Sequence, residues 1–382
     1  MKIFITAHSS RRGGGVVVAQ GLLTALARVA PEHEYVVTIP PGMGYEAICA
    51  NFPCCKTIVY KTTSAFRSLL WHIFSLRNLV KSEAPDILLN LGNWAWFKTA
   101  CIQETYIQWS YICYPSWHWG RRSFFSLQKR RFEVWLCRLL NRFFSDRLYC
   151  QTSVMKARLE RVFGRMPVRI LPTGIALRRD CDHPRKQSNR ECFTLFYPAL
   201  SYPHKNIDFL LRTFARYRSD FHGVRLLLTI NPEEDKSMLW AKGWVVENGL
   251  EQQIVFIGER SKDEIEKLYD EVDALVFPSL LETLGIPLLE AMGHGLPILA
   301  SDLDFAWGNC GDAALYFDPI SEESLKDSIV KLKNSPALYE ELSANAHKRI
   351  CETNVSWDDI AKELMLGWCE LLDLSLPTCV KL

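Results

Sequence analysis

The chain has 382 residues, 48% hydrophobic and 23% charged, a length that suits about two domains and a composition that excludes a disordered or fibrous protein. No run approaches the 18 or more apolar, uncharged residues of a membrane-spanning helix, and the 13 cysteines are scattered without C-x-x-C spacing, which argues against a zinc site or a disulfide framework. The net charge of +2 joins unlike halves, since residues 1–180 carry 25 Lys and Arg against 10 Asp and Glu while residues 181–382 carry 20 against 33; the basic half is expected to face something anionic.

Taken in order, residues 2–7 read as a first strand, too short an apolar run for a secretory signal and followed by Arg11 and Arg12. Gly13, Gly14 and Gly15 precede a helix expected over 16–29. Bare backbone there could approach a phosphate or a sugar, and a flexible turn would have the same composition. A dinucleotide fingerprint needs a third glycine at position 18, where Val18 stands. Further strands are expected at 35–39, 86–90 and 146–150, then, beyond a polar stretch at 173–190, at 193–197, 224–230, 253–257, 274–277 and 296–300. Strands alternating with helical patterns predict two parallel sheets covered by helices.

Five of the 12 tryptophans (Trp94, Trp96, Trp109, Trp117 and Trp119) fall within 26 residues. Their ring faces could stack on sugars, with core packing as the alternative. Trp94, Trp109 and His118 are the candidates for contact with such a sugar. Residues 121–147 then mix eight Lys and Arg with many aromatics. On a helix, Phe132, Leu136, Leu139 and Phe143 share one face and Arg131, Arg138 and Arg142 an adjoining one, a pattern that suits an anionic membrane surface or packing on the chain's own domain. The same charge carries no nucleic-acid recognition motif.

The most informative segment is Ser279-Leu280-Leu281-Glu282-Thr283-Leu284-Gly285-Ile286-Pro287-Leu288-Leu289-Glu290. It follows the expected strand 274–277 and runs into a helix at 286–292, with Pro287 in the first turn and a glycine near the end. Glu282 therefore sits on a loop at the carboxyl end of a strand, where open parallel sheets bind ligands. Free N–H groups and the helix dipole there favour a diphosphate. Glu290, about one turn in, would repel phosphate and could accept hydrogen bonds from a ribose. A solvated loop glutamate followed by a helix-surface glutamate is the plain alternative.

In these residues, and in Phe256-Ile257-Gly258, residues 268–279, Ser301-Asp302, residues 311–319 and the stretch Tyr197 to Asn206 containing Pro203-His204-Lys205-Asn206, the sequence resembles the retaining glycosyltransferases of family 4. The first half matches more loosely, through Gly13 to Gly15 and residues 171–175. The resemblance implies an α/β fold of GT-B architecture, two facing Rossmann-like domains with parallel sheets and a C-terminal helix that crosses back to the first domain. The implied boundaries are an acceptor-binding domain at 1–175, a linker at 176–190, a nucleotide-sugar domain at 191–355 and the returning helix within 356–382. It implies Lys205 and Glu282 as catalytic residues, and a donor site of Gly14, Gly15, Lys205, Asn206, Glu282, Thr283, Leu284, Gly285, Ile286 and Glu290. Many family members have an arginine a few residues before the lysine, and Tyr197 to Leu200 contains none. Gln108-Trp109 stands where the family often has His-Asn or His-Asp.

The resulting expectation is transfer of a hexose or deoxyhexose, with retained configuration, from a GDP-, UDP- or dTDP-sugar to a saccharide acceptor, lipid-linked, in cell-surface polysaccharide or glycoconjugate assembly at the cytoplasmic face of a membrane. No cofactor or essential metal is expected, since the pairs Asp180/Asp182 and Asp302/Asp304 are about as frequent as chance allows. A dinucleotide-dependent oxidoreductase and a catalytically silent GT-B scaffold are the alternatives.

Overall fold

A computed structural model describes residues 1–61, 65–175, 185–187 and 191–373. The chain divides into two compact units: residues 1–114, 124–175 and 355 onward form one, and residues 115–123 and 176–354 the other. Of the expected linker at 176–190, only 185–187 lie among the described residues.

The first unit holds strands β1 (Lys2–Thr6), β2 (Glu34–Ile39), β3 (Cys55–Val59), β4 (Ile87–Asn90), β5 (Ile102–Tyr106), β6 (Arg147–Cys150) and β7 (Val168–Ile170). All pair in parallel, in the order β3-β2-β1-β4-β5-β6-β7, so the direction of winding reverses between β1 and β4. Strand β1 is central, with Ile3, Phe4 and Ile5 wholly buried, as a strand covered by helices on both faces requires. The helix Gly14–Val29 lays Val18, Leu22, Leu26 and Val29 into this core. The C-terminal helix Trp357–Leu371, whose first turn is capped by Ser356 accepting from the Asp359 N–H, packs on that helix. It fits closely because Gly21 has no side chain; a Cβ there would overlap the Trp357 ring.

Sequence periodicity missed β3, β5 and β7. For β5 the reason is physical: Gln103, Glu104 and Thr105 are polar and wholly buried. Glu104 is tolerated because Arg147 Nη1 (3.1 Å), the Tyr149 hydroxyl (3.3 Å) and the Trp368 indole N–H (2.6 Å) all donate to its carboxylate. Burial still pushes that carboxyl above its usual range.

The second unit holds β8 (Phe193–Tyr197), β9 (Val224–Leu228), β10 (Ile254–Phe256), β11 (Ala274–Phe277), β12 (Ile298–Ser301) and β13 (Ala314–Phe317), the last again missed by periodicity. They form a parallel sheet in the order β10-β9-β8-β11-β12-β13. Here the winding reverses between β8 and β11, which pair through Leu195 with Ala274 and Phe196 with Leu275. The loops leaving these two neighbours, 198–206 and 278–285, therefore emerge side by side at the sheet's carboxyl edge, the position at which such sheets take their ligands. Among the described residues no helix is long and apolar enough to cross a membrane.

Candidate active site

The two loops at the β8/β11 reversal are stitched together. Tyr197, the wholly buried last residue of β8, donates its single phenolic proton to the Lys205 carbonyl at 3.1 Å, so its oxygen accepts from Ser279 Oγ at 2.8 Å. The Leu280 N–H donates to the His204 carbonyl at 2.8 Å. Lys205 closes a single 3₁₀ turn, Pro203–Lys205, and Asn206, at φ +58°, swings the chain into the helix Ile207–Arg216 while its side-chain amide donates to the Pro319 carbonyl at 2.9 Å. The outcome is that Lys205 Nζ lies 2.6 Å from Glu282 Oε1, with side chains only 15% and 12% exposed. Two residues 77 positions apart in sequence form one ion pair beneath the mouth of the sheet.

Past Glu282, Thr283 is half-buried and Leu284 is buried, its carbonyl accepting from Asn309 Nδ2. Gly285 caps the helix Ile286–Gly293 at φ +78°, and a Cβ there would stand 3.1 Å from Leu288 Cδ1 and 3.4 Å from Phe277 Cζ, so both backbone and space call for glycine. Pro287, in the first turn, has no N–H to satisfy, and the Leu288 N–H donates to the Gly285 carbonyl at 2.8 Å. Glu290 accepts a hydrogen bond from the wholly buried Tyr269 hydroxyl at 2.9 Å. Burial raises its carboxyl above the ordinary value of 4.5, with the Tyr269 bond opposing that shift. A cation held by a carboxylate, beside a glycine-capped helix N-terminus and followed by a half-buried carboxylate, can bind a diphosphate at one point and neutral hydroxyls at another.

The remaining sequence candidates lie elsewhere. Gly14 and Gly15 open the helix Gly14–Val29 of the first unit, after Gly13 at φ +59°. The nearest atom to a Cβ at Gly15 would be Gln108 Oε1 at 3.8 Å. Trp94 stacks on Trp96 (5.0 Å between centroids, 12°) and lies 6.0 Å from Trp109, over which Arg130 sits at 5.2 Å. His118 falls in the second unit, buried, its ring stacked on Trp117 at 3.5 Å. Asp302 is exposed and accepts from the Trp307 indole at 2.7 Å. Asp180 and Asp182 lie outside the described residues, and among those described no group of three or more His, Cys, Asp or Glu could hold a metal.

The helix Phe124–Phe144 presents Phe125 (84% exposed), Phe132, Trp135 and Phe143 outward. One arginine departs from the expected stripe. Arg138 turns inward, donating from Nε to the Ile112 carbonyl at 2.8 Å, and burial lowers its pKa. Arg142 remains exposed and donates to the Val162 carbonyl at 3.1 Å.

Sequence reading missed Tyr197, Ser279, Tyr269 and His294. Tyr269 carries no local signal, because its partner lies 21 residues on; His294 could have been suspected, since it stands four residues after Glu290, at the end of the same helix.

Two family models meet within the chain: "Glycosyltransferase Family 4" matches residues 12–179 and "Glycosyl transferases group 1" residues 179–349. The O-antigen chain mannosyltransferase RfbU of Salmonella typhimurium is 30% identical over 136 residues, 36% of this chain and 37% of that protein. The serotype-specific mannosyltransferase WbdA of Escherichia coli is 27% identical over 184 residues, 47% of this chain and 22% of the other. The chain thus spans well under half the length of these curated relatives. Among solved structures, a sucrose-phosphate synthase from Thermosynechococcus elongatus shares the fold at a TM-score of 0.77 and 17% identity, covering 98% of this chain and 100% of that one. HepE of Anabaena, solved in complex with UDP and glucose, shares it at 0.71 and 15%, covering 98% and 99%. With two Rossmann-like sheets, and two glycosyltransferase models end to end over residues 12–349, the chain belongs to the family 4 glycosyltransferases of GT-B architecture.

Proposed function

We propose that the protein transfers a hexose or deoxyhexose from a nucleotide-sugar donor to a saccharide acceptor, with retention, in the assembly of a cell-surface polysaccharide. The observation that carries this reading is the Lys205–Glu282 pair at the β8/β11 reversal, ahead of the helix that Gly285 caps. In this reading the donor diphosphate takes the Lys205 ammonium and the N–H groups around Gly285 and Ile286, Thr283 and Leu284 shape the loop, and Asn206 fixes the turn that delivers Lys205. Glu290 accepts from the ribose, and Glu282, released from Lys205, contacts the donor sugar.

Lys205 then stabilises the charge that grows on the leaving diphosphate. The reaction is a front-face displacement, in which the departing phosphate oxygen takes the proton of the attacking acceptor hydroxyl, so no metal is required. The acceptor side is assigned to the first unit, on Trp94 and Trp109, and Gly14 and Gly15, at a helix start of the same unit, keep the sugar- or phosphate-binding role the family resemblance implies. The exposed aromatics of the helix Phe124–Phe144, bordered by Arg131 and Arg142, suit attachment to an anionic membrane surface, which fits a lipid-linked acceptor.

A thermal-shift panel of UDP-, GDP- and dTDP-sugars beside NAD and NADP tests the proposal. A ligand at 100 times its dissociation constant adds about 2.7 kcal/mol of stability. Stabilisation by one nucleotide-sugar series is expected; stabilisation by a nicotinamide dinucleotide alone would support the oxidoreductase alternative, and none at all the silent scaffold.

A further inference from the structure

We infer that Tyr269 and His294 are positioning residues for Glu290, and that the grip between the helices Lys262–Glu271 and Ile286–Gly293 sets the affinity for nucleotide; this rests on the reading of Glu290 as the ribose partner. Glu266, Tyr269 and Asp270 share one face of the first helix, at spacings of three and four. On the second, Glu290 stands four residues before His294, the residue that caps the helix. The two helices meet through three hydrogen bonds. The Tyr269 hydroxyl donates to Glu290 Oε2 at 2.9 Å, while His294 places Nδ1 2.8 Å from Asp270 Oδ1 and Nε2 2.7 Å from Glu266 Oε2. The His294 side chain is 4% exposed, and its ring lies 5.2 Å from that of Tyr269.

The far side of the grip is fixed as well. Arg185 donates to the carbonyls of Tyr269 (2.7 Å), Asp270 (2.8 Å) and Val272 (3.0 Å), placing a cation where the end of the helix has unpaired acceptors. Its own N–H donates to Ser343 Oγ. Tyr269 is thus held along the chain as well as through its ring. Its hydroxyl occupies one lone pair of the Glu290 carboxylate, leaving the other oxygen and roughly three acceptor positions for ligand hydroxyls. An orienting donor on one oxygen spares the ligand the cost of ordering the carboxylate, and such preorganisation appears in binding.

Calorimetry with UDP and GDP tests this on five single variants and one double. Glu290→Gln and Tyr269→Phe are each expected to weaken binding about 10- to 100-fold, the range of one lost hydrogen bond to a charged group. Tyr269→Phe in the Glu290→Gln background is expected to add nothing further. Turnover at saturating donor should stay within about twofold in Tyr269→Phe, because the effect lies in nucleotide binding. His294→Gln removes part of a buried ring, so Glu266→Gln and Asp270→Asn loosen the same grip from partly exposed partners; all three should weaken nucleotide binding less than Tyr269→Phe. Wild-type affinity in Tyr269→Phe while Glu290→Gln is weakened overturns the inference alone, as does full additivity in the double variant. Unchanged affinity in Glu290→Gln removes the ribose assignment and the inference with it.

Discussion

Lys205 and Glu282 give the most discriminating perturbation, because the proposed site uses their pairing in two opposite ways. The ammonium and carboxylate stand 2.6 Å apart, each about one-eighth exposed, so neither is fully screened by solvent. Two unit charges at 4 Å and an effective dielectric near 20 interact by about 4 kcal/mol. A diphosphate entering beside Lys205 gains an attraction of that order, loses part of it to desolvation, and must also displace or tolerate the Glu282 carboxylate. A net of about 1.4 to 2 kcal/mol for either charge corresponds to roughly 10- to 30-fold in affinity. Lys205→Gln removes the attraction and leaves the repulsion, so binding of UDP or GDP should weaken by that factor. Glu282→Gln removes the competitor, so the same diphosphate should bind several-fold more tightly, although turnover with the full donor falls because a sugar contact is lost. Calorimetry with the free diphosphate, beside a coupled assay of diphosphate release, reads both. Equal weakening of diphosphate binding by the two variants would refute the reasoning, since it would mean that the pair serves the loop and not the ligand.

Glu290 gives a pH prediction. Burial raises its carboxyl above 4.5, and ribose is held by the ionised form, so nucleotide affinity should be full at neutral pH and fall on acidification, beginning above the usual glutamate range. In Glu290→Gln the calorimetric profile should lose that component. Trp368→Phe removes the indole donor from the buried Glu104 carboxylate and should cost about 1.5 to 3 kcal/mol, read as a melting temperature lower by several degrees. Replacing Phe125, Phe132 and Phe143 by Ser and Arg131 by Glu should release the protein from anionic vesicles without changing its fold, with cosedimentation and circular dichroism as the readouts; raised salt should act in the same direction. Turnover should survive EDTA, and a loss restored by Mn²⁺ or Mg²⁺ would count against the metal-free mechanism.

Much of this arrangement was legible in the sequence, for identifiable reasons. Buried strands such as β1 and β11 are short apolar runs bounded by turn residues, and Gly285 with Pro287 marks a helix start in composition alone. Strand β5 was hidden because burial there is carried by a hydrogen-bonded Glu104 rather than by apolar side chains, and its donors Arg147, Tyr149 and Trp368 lie up to 264 residues away. The Lys205–Glu282 pair was expected only as two separate residues; their contact depends on β8 and β11 being neighbours, a property of strand order. Arg138 followed the helical period yet turned inward, because a long side chain can reach a carbonyl that the helical wheel does not show. The Glu290 support from Tyr269 comes from a neighbouring helix, and no spacing within one helix encodes it.

The most direct test is a transfer reaction with the nucleotide-sugar that the stability panel selects and an oligosaccharide acceptor, following diphosphate release and glycoside formation together in wild type and Lys205→Gln. One glycosidic bond is expected for each diphosphate released, and a rate about 10² lower in the variant because the ammonium acts on charge that develops in the transition state. Equal rates in the two proteins, or diphosphate released without any glycoside formed, would contradict the proposed mechanism.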